Sequence, residues 1–175
     1  MEEIRKAAVS DYEAVLDFYR SVVMRAEELS FNRIWKIGSY PTPEYIRGFI
    51  ERGEMYILTD GDDIIAATAL NHSLPGYDDV VWSVPCDPDQ VLIIHLLGVA
   101  PSHMGAGYGK MMTRFAIKLA RETGMKAIRL DVLPYNIPAV RAYEREGFRY
   151  IITKSMDYGD AVGQEFLLYE YPVEN

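Results

Sequence analysis

The chain has 175 residues, of which 49% are hydrophobic, and a formal net charge of −8. This length suits a single domain over residues 1–175, with a core of its own. The net negative charge disfavours nucleic acid as a partner, because phosphate binding needs clustered lysine and arginine. No apolar run reaches the roughly 18 residues of a membrane span, and one cysteine, Cys86, cannot form an internal disulfide. We therefore expect a cytoplasmic protein that makes no membrane contact. The spacing of its three histidines predicts no metal site.

Apolar periodicity and turn residues predict the secondary structure in chain order. We expect strands at residues 2–7, 55–60, 64–71, 90–100, 126–132, 148–155 and 164–171. We expect helices at residues 11–26, 43–53, 107–123 and 138–146. Ser10 and Glu13 match a capping box for the first helix, and the strand at 90–100 is apolar enough to be central. The order predicts an α/β fold, a mixed sheet of about seven strands flanked by about four helices.

The segment "LLGVAPSHMGAGYGKMM" (96–112) joins the apolar strand to the third helix. It carries glycines at positions 105, 107 and 109. A helix N-terminus offers unpaired N–H groups and the positive end of the helix dipole, which suits a pyrophosphate. Glycines let the backbone approach phosphate oxygens closely. The turn therefore predicts a phosphate-bearing ligand.

Two nucleotide-binding patterns fit this turn poorly. A P-loop would need glycine at Met104 and Ser or Thr at Met111. A dinucleotide fingerprint would need glycine at Lys110 and would follow the first strand of the fold, although Asp131 does stand where a ribose-binding acid is expected.

Coenzyme A is the third candidate, and here the sequence resembles a known family. "VAPSHMGAGYGKMM" resembles the phosphate turn of the GNAT superfamily of acyl-CoA-dependent N-acetyltransferases, whose pattern is Q/R-x-x-G-x-G/A. Gly107 and Gly109 occupy its two glycine positions, Gly105 is the glycine often found between the Gln or Arg position and the first of these, and Met104 departs from the usual Gln or Arg. The segment "NIPAVRAYEREGF" (136–148) resembles the superfamily's N-x-x-A-x-x-x-Y-x-x-x-G-F in every defined position.

The resemblance implies the GNAT fold, with acetyl-CoA as the acyl donor and no metal. The pantetheine arm would pair with the backbone of Leu97 and Val99, where two strands splay apart, and the Val99 N–H region would polarise the thioester carbonyl. Gly98 would permit the bulge that such a splay requires. The implied coenzyme-binding residues are Leu97, Val99, Met104, Gly105, Ala106, Gly107, Tyr108, Gly109, Lys110 and Asn136. Two alternatives stay open here: Lys110 is a solvated surface lysine, and Asn136 only caps its helix.

The resemblance also suggests two catalytic residues. Tyr143 matches the family tyrosine that protonates the thiolate leaving group, and the alternative is a core tyrosine. His95 lies where the arylalkylamine N-acetyltransferases carry a proton-relay histidine. A histidine can accept an amine proton near neutral pH. The alternative is a buried histidine that bonds a backbone carbonyl.

In this family the acceptor site is built from the first two helices and the loop after the third strand. These segments carry aromatic and acidic residues, which predict a pocket for a small primary amine or a peptide amine: Phe31, Trp35, Tyr40, Tyr45, Tyr77, Trp82, Glu27, Glu28, Asp78 and Asp79. The same aromatics could instead fill a small core. Because Met104 departs from the pattern, a coenzyme A sensor or scaffold without turnover is a second function. Family members often dimerise, so the resemblance also allows a homodimer.

Overall fold

The computed structural model describes residues 2–29, 34–73 and 75–174. Its strands are β1 (Glu2–Lys6), β2 (Met55–Asp60), β3 (Asp63–Asn71), β4 (Val91–Val99), β5 (Ala127–Val132), β6 (Arg149–Tyr158) and β7 (Ala161–Pro172). Its helices are α1 (Tyr12–Glu27), α2 (Pro43–Glu51), α3 (Tyr108–Glu122) and α4 (Ile137–Arg145). The predicted order of elements is confirmed within these ranges, and β6 runs three residues further than expected. No helix within them is long and apolar enough to cross a membrane.

The predicted capping box at the start of α1 is wrong. A short 3-10 turn (Val9–Asp11) precedes the helix, so Asp11 is the N-cap, and it makes no side-chain capping bond. The Asp11 carboxylate instead accepts hydrogen bonds from Arg5 at 2.6 and 2.9 Å and from the Ala8 N–H at 2.7 Å. The Arg5–Asp11 ion pair thus ties β1 to the turn that leads into the helix.

The strands form one mixed sheet in the order β1-β2-β3-β4-β5-β7-β6, with β4 in the middle as predicted. Only β4 and β5 are parallel, and every other neighbouring pair is antiparallel. One sheet face packs against α3, whose Met112, Ala116 and Ala120 are fully buried. The other face packs against α1 and α2, where Tyr19 and Phe49 are buried. Helical spacing of small and apolar residues places each helix on its face.

The two central strands separate partway along their length. Pairing between β4 and β5 ends at Ile93 and Arg129. Beyond that point β4 pairs with β3 alone, while β5 pairs with β7 as far as Val132. The expected splay is therefore present, and it leaves one edge of β4 without a strand partner.

A bulge follows in β4, as the sequence suggested, but Gly98 is not its strained residue. The register against β3 shifts between His95 and Gly98, and Leu96 adopts a positive φ of 53°. This conformation is unusual for leucine. The buried Tyr19 hydroxyl donates to the Leu96 carbonyl at 2.8 Å and holds the bulge from α1. Gly98 lies against α1, where a Cβ would come within 3.4 Å of the Val22 side chain.

Candidate functional site

The glycine turn before α3 presents a run of unpaired backbone donors. Gly105 and Gly107 have φ values of 81° and 93°, which glycine adopts without strain. Only the Ala106 N–H is used within this stretch, and it donates to the His103 carbonyl. Five N–H groups donate to none of the residues that the structure describes, those of Gly105, Gly107, Tyr108, Gly109 and Lys110. With the N-terminus of α3, they form a concave set of donors suited to an anion.

This turn lies against the end of β4. A Cβ on Gly109 would sit 3.8 Å from both the Leu97 and the Val99 side chains. Both side chains are partly buried and pack on the α3 side of the sheet. The donors of the turn are therefore adjacent to the strand edge that the splay exposes. This is the arrangement that a diphosphate joined to an extended arm needs.

The side chains of the turn are engaged elsewhere or face outward. Met104 is 52% exposed. The Tyr108 hydroxyl donates to Glu2 at 2.7 Å. Lys110 lies 3.6 Å from Glu146, the C-cap of α4, and Arg114 contacts the same carboxylate at 2.7 Å. What the turn offers a ligand is therefore mainly backbone.

Asn136 caps α4. Its side chain accepts a hydrogen bond from the Ala139 N–H at 3.4 Å. This is the alternative that the sequence left open, and it accounts for the residue type at this position. A contact to the coenzyme stays a prediction.

Tyr143 lies on α4, partly buried, with its ring 5.6 Å from that of Phe148. Its hydroxyl bonds no residue in the described part of the chain. Burial, followed by the negative charge of Asp131, raises the pKa of Tyr143 well above its ordinary value. The phenol stays protonated at neutral pH and is free to donate.

His95 is 6% exposed and faces α2, with its ring 5.5 Å from Phe49. Its Nε2 lies 2.7 Å from Oδ1 of Asn71, which also accepts from the Ser73 N–H, while the Asn71 amide nitrogen donates to Glu54. These bonds orient the amide so that the imidazole donates its Nε2 proton. Burial lowers the pKa of His95 to about 4. The histidine is neutral, and its partner is a side-chain amide in place of the backbone carbonyl considered above.

Asp131 lies near the C-terminal end of β5. The sequence did not identify it as a candidate proton acceptor. Its Oδ2 accepts hydrogen bonds from the hydroxyls of Tyr77 and Tyr158, each at 2.9 Å. Burial raises the pKa of Asp131 to about 6, although both hydrogen bonds lower it. A carboxylate in a strand of alternating polarity is normally a solvent-facing residue, so only the tertiary contacts identify it.

Aromatic rings gather around Asp131. Tyr40 packs edge-on against Tyr158 with centroids 5.1 Å apart, and Tyr45 lies 5.6 Å from Tyr40. Tyr77 packs against Trp82 at 5.1 Å, and these two rings line a cavity of about 570 Å³ under the loop between β3 and β4. The predicted acceptor aromatics Tyr40, Tyr45 and Tyr77 are thus brought together. Trp35 contacts Tyr19 at 6.1 Å, and Phe31 lies outside the described residues.

The predicted acidic rim is mostly engaged in structural contacts. Glu27 accepts the Ile37 N–H at 3.0 Å, Glu28 pairs with Arg25, and Asp79 pairs with Lys154. Asp78 is exposed. The acid that lies among the aromatics is Asp131. The described residues contain no cluster of three His, Cys, Asp or Glu side chains that could hold a metal ion.

The glycine turn before α3 and the splayed strands β4 and β5 are the arrangement expected of an acyl-CoA-dependent acetyltransferase fold. The model of the Acetyltransferase (GNAT) family matches residues 20–148, so the chain belongs to this family. Both sequence motifs lead to the same family, and the resemblance is confirmed.

The relatives and structural neighbours carry acetyltransferase names. The chain is 40% identical over 104 residues to streptothricin acetyltransferase from Streptomyces lavendulae, a match covering 59% of this chain and 53% of that protein. It is 38% identical over 66 residues to mycothiol acetyltransferase from Thermomonospora curvata, covering 37% and 22%. The chain thus spans about half or less of these relatives.

A GNAT family acetyltransferase structure from Streptococcus agalactiae superposes with a TM-score of 0.82 at 15% identity, over 99% of this chain and 96% of that one. The yncA protein of Salmonella typhimurium, solved with its cofactor acetyl-CoA, gives 0.73 at 13% identity, over 100% and 95%. At these identities the likeness establishes the fold, and the predicted fold class is confirmed.

Proposed function

We propose that the protein transfers the acetyl group of acetyl-CoA to a primary amine of a small molecule or peptide, by direct attack within a ternary complex. The observation that carries this proposal is the set of five unpaired N–H groups in the glycine turn, which lies beside the open edge of β4. Asp131 and Tyr143 would supply the base and the acid, since burial raises the pKa of Asp131 to about 6 and raises the pKa of Tyr143 well above its ordinary value. Acid–base pairs of this kind are typical of catalytic sites.

The donor would bind through the backbone. Five unpaired N–H groups of the turn support diphosphate binding there, in a way that tolerates Met104. The open edge of β4 at Leu97 and Val99 supports pairing with the pantetheine arm, and the remaining coenzyme contacts predicted above belong to this same proposal. Side chains at Lys110 and Asn136 would add to this backbone site.

The chemical step moves two protons. The amine nitrogen attacks the thioester carbonyl, so that a C–N bond forms and the C–S bond breaks. The amine proton passes to the Asp131 carboxylate, directly or through water, and the Tyr143 hydroxyl protonates the departing thiolate. Transfer of the proton held by Asp131 back to the tyrosinate, through solvent, restores the starting state. The products are an amide and free coenzyme A.

His95 is the second candidate for the base. Its neutral imidazole could relay a proton, but its pKa of about 4 makes it a weaker base than Asp131 at neutral pH, and its Nε2 is bonded to Asn71. We therefore assign the main role to Asp131 and a relay role to His95. The pH experiment in the Discussion separates the two.

The acceptor class follows from the surroundings of Asp131. A carboxylate among tyrosine rings favours a cationic amine through charge and cation–π contacts, and the adjacent cavity of about 570 Å³ could hold the body of a drug-sized molecule. The similarity to streptothricin acetyltransferase makes streptothricin the first acceptor to test. The cytoplasmic location, the single domain and the homodimer stay predictions.

The test is thiol release from acetyl-CoA with a panel of acceptors: streptothricin, polyamines, arylalkylamines, amino acids and peptides with free N-termini. We expect turnover with at least one cationic amine and its loss in Asp131→Asn. Asp62→Asn, an exposed acid in the turn between β2 and β3, is the matched control. Calorimetric binding of acetyl-CoA without turnover of any amine would contradict the proposal and favour the sensor function, which the acetyltransferase relatives do not favour.

A further inference from the structure

The Asp131 carboxylate is held asymmetrically. Tyr77 and Tyr158 both donate to the same oxygen, Oδ2, at 2.9 Å. Oδ1 accepts no hydrogen bond from the residues that the structure describes, and it is not sealed from solvent, since no buried polar atom among them lacks a partner. One oxygen is thus fixed by the protein, while the other stays available to a ligand.

We propose that Tyr77 and Tyr158 are positioning residues for Asp131. Their hydroxyls anchor Oδ2, direct Oδ1 toward the acceptor amine and stabilise the ionised carboxylate. This inference rests on the proposed function, because it assigns the amine to Asp131.

Tyr77 comes from the loop between β3 and β4, and this loop is held on both sides of it. Lys154 of β6 donates to the Gly76 carbonyl at 2.6 Å and pairs with Asp79. The tyrosine is therefore fixed by flanking contacts with the sheet, and it is 6% exposed.

The other end of the loop is fixed by a buried ion pair. Glu170 of β7 is fully buried and accepts from Arg129 at 3.0 Å, from the Val84 N–H at 3.0 Å and from the Ser83 hydroxyl. Arg129 also donates to the Val84 carbonyl at 3.1 Å and stacks over Trp82 at 4.3 Å. Both charges are compensated within the protein. The loop cannot move without breaking bonds in a buried environment, which is costly.

Tyr158 approaches Asp131 from another element, at the end of β6. Its ring packs against Phe166 of β7 at 5.0 Å and against Tyr40 at 5.1 Å. The two hydroxyls therefore reach Oδ2 from independent parts of the chain. A chance contact of one flexible side chain does not explain such convergence.

Among the described groups whose charges act on this cluster, no unpaired positive charge stabilises the Asp131 carboxylate. Tyr40 precedes α2, Tyr45 lies on α2 and Tyr143 lies on α4, and burial raises the pKa of all three phenols, which keeps them neutral. Arg129, two residues earlier on β5, is paired with Glu170. The hydroxyls of Tyr77 and Tyr158 are thus the groups that counter the desolvation of this carboxylate, and both lower its pKa.

The test uses Tyr77→Phe and Tyr158→Phe, which remove one oxygen each and keep the ring. The carboxyl carbon of Asp131 is titrated by 13C NMR in the free protein and assigned with Asp131→Asn. We expect the pKa of Asp131 to rise by roughly one pH unit in each variant, as loss of a hydrogen bond to the charged form predicts. The pKa that governs the acid limb of the kcat/KM profile should rise by the same amount. The rate should therefore fall approximately tenfold at pH values below this pKa and recover at pH values above it. Tyr150→Phe, a β6 tyrosine bonded to Thr153, should change neither.

Failure of this inference is distinguishable from failure of the proposed function. An unchanged Asp131 pKa in both variants overturns the inference, even if the wild type acetylates amines. Higher Asp131 pKa values in both variants support the inference. If the wild type also acetylates none of the amines in the panel, the proposed function fails and the positioning role of the two tyrosines stands. Thermal unfolding of each variant checks that loss of fold is not the cause.

Discussion

His95 and Asp131 occupy equivalent positions on two diverging strands. The last paired residues of β4 and β5 are Ile93 and Arg129, and each of the two ionisable residues lies two positions further on. Residues level with each other on parallel strands point to the same side of a sheet. The opening is thus flanked by an imidazole whose pKa is lowered to about 4 and a carboxyl whose pKa is raised to about 6.

This relationship predicts the pH dependence of acetyl transfer. A base must be unprotonated to act, so protonation of Asp131 should contribute a tenfold loss of kcat/KM per pH unit below about 6. Protonation of the acceptor amine adds its own slope of one, so the combined slope doubles below that value. Asp131→Asn should lower kcat/KM by ~10² or more and abolish the second slope. His95→Ala should retain it; loss of the steeper limb in that variant would make His95 the base.

Tyr143→Phe tests the acid. Because the pKa of Tyr143 is raised, the phenol stays protonated over the whole assay range and can donate at every pH. We expect kcat to fall by ~10², within the usual range for an acid catalyst, with little change in KM. Tyr171→Phe is the matched control, since Tyr171 also packs on Phe148, at 5.4 Å, and its hydroxyl bonds Arg121. Equal rates for Tyr143→Phe and the wild type would leave Tyr143 as a core residue.

Gly107→Ala tests the phosphate turn. Gly107 and Gly124 both have a positive φ, 93° and 71°, and an added Cβ would meet nothing within 4 Å at either. The backbone strain of alanine, ~1 kcal/mol, is therefore similar at both sites. Only at Gly107 would the methyl enter the space above the free N–H groups. Steady-state kinetics should show a KM for acetyl-CoA raised by roughly tenfold in Gly107→Ala and unchanged in Gly124→Ala. A parallel rise in both would trace the effect to strain.

Arg129→Met tests the anchor of the loop between β3 and β4. It leaves the fully buried Glu170 carboxylate without its cation, which should lower the free energy of unfolding by about 3–5 kcal/mol in urea denaturation. The double change Arg129→Met with Glu170→Leu should recover much of this loss. Arg20→Met, which breaks the exposed pair with Asp17, should cost less than about 1 kcal/mol. Equal losses for Arg129→Met and Arg20→Met would contradict the role of the buried pair.

The fold could be predicted from the sequence, and so could the glycine turn and the strand opening at which donor binding is proposed. Helix and strand periods are local properties, and the glycine turn and the motif at 136–148 carry their information in consecutive residues. The capping box failed because the 3-10 turn over Val9–Asp11 includes Ser10 and moves the N-cap of α1 to Asp11. Asp131 could not be assigned its surroundings, since Tyr77 and Tyr158 lie 54 and 27 residues away in the chain. Local sequence patterns predict the proposed donor site, while the proposed acceptor site depends on tertiary contacts.

The bulge in β4 also constrains the length of the chain. Before it, Ile94 faces α3; at the bulge the consecutive residues His95 and Leu96 both face α1 and α2; after it, Leu97 and Val99 face α3. One extra residue thus reverses the face of the sheet to which each later side chain of the strand points. A regular strand of the same length, without the bulge, would turn Leu97 and Val99 away from the glycine turn, while every side chain in the segment could keep its chemical type. When this strand is redesigned or aligned with relatives, the number of its residues must therefore be matched before their types are compared.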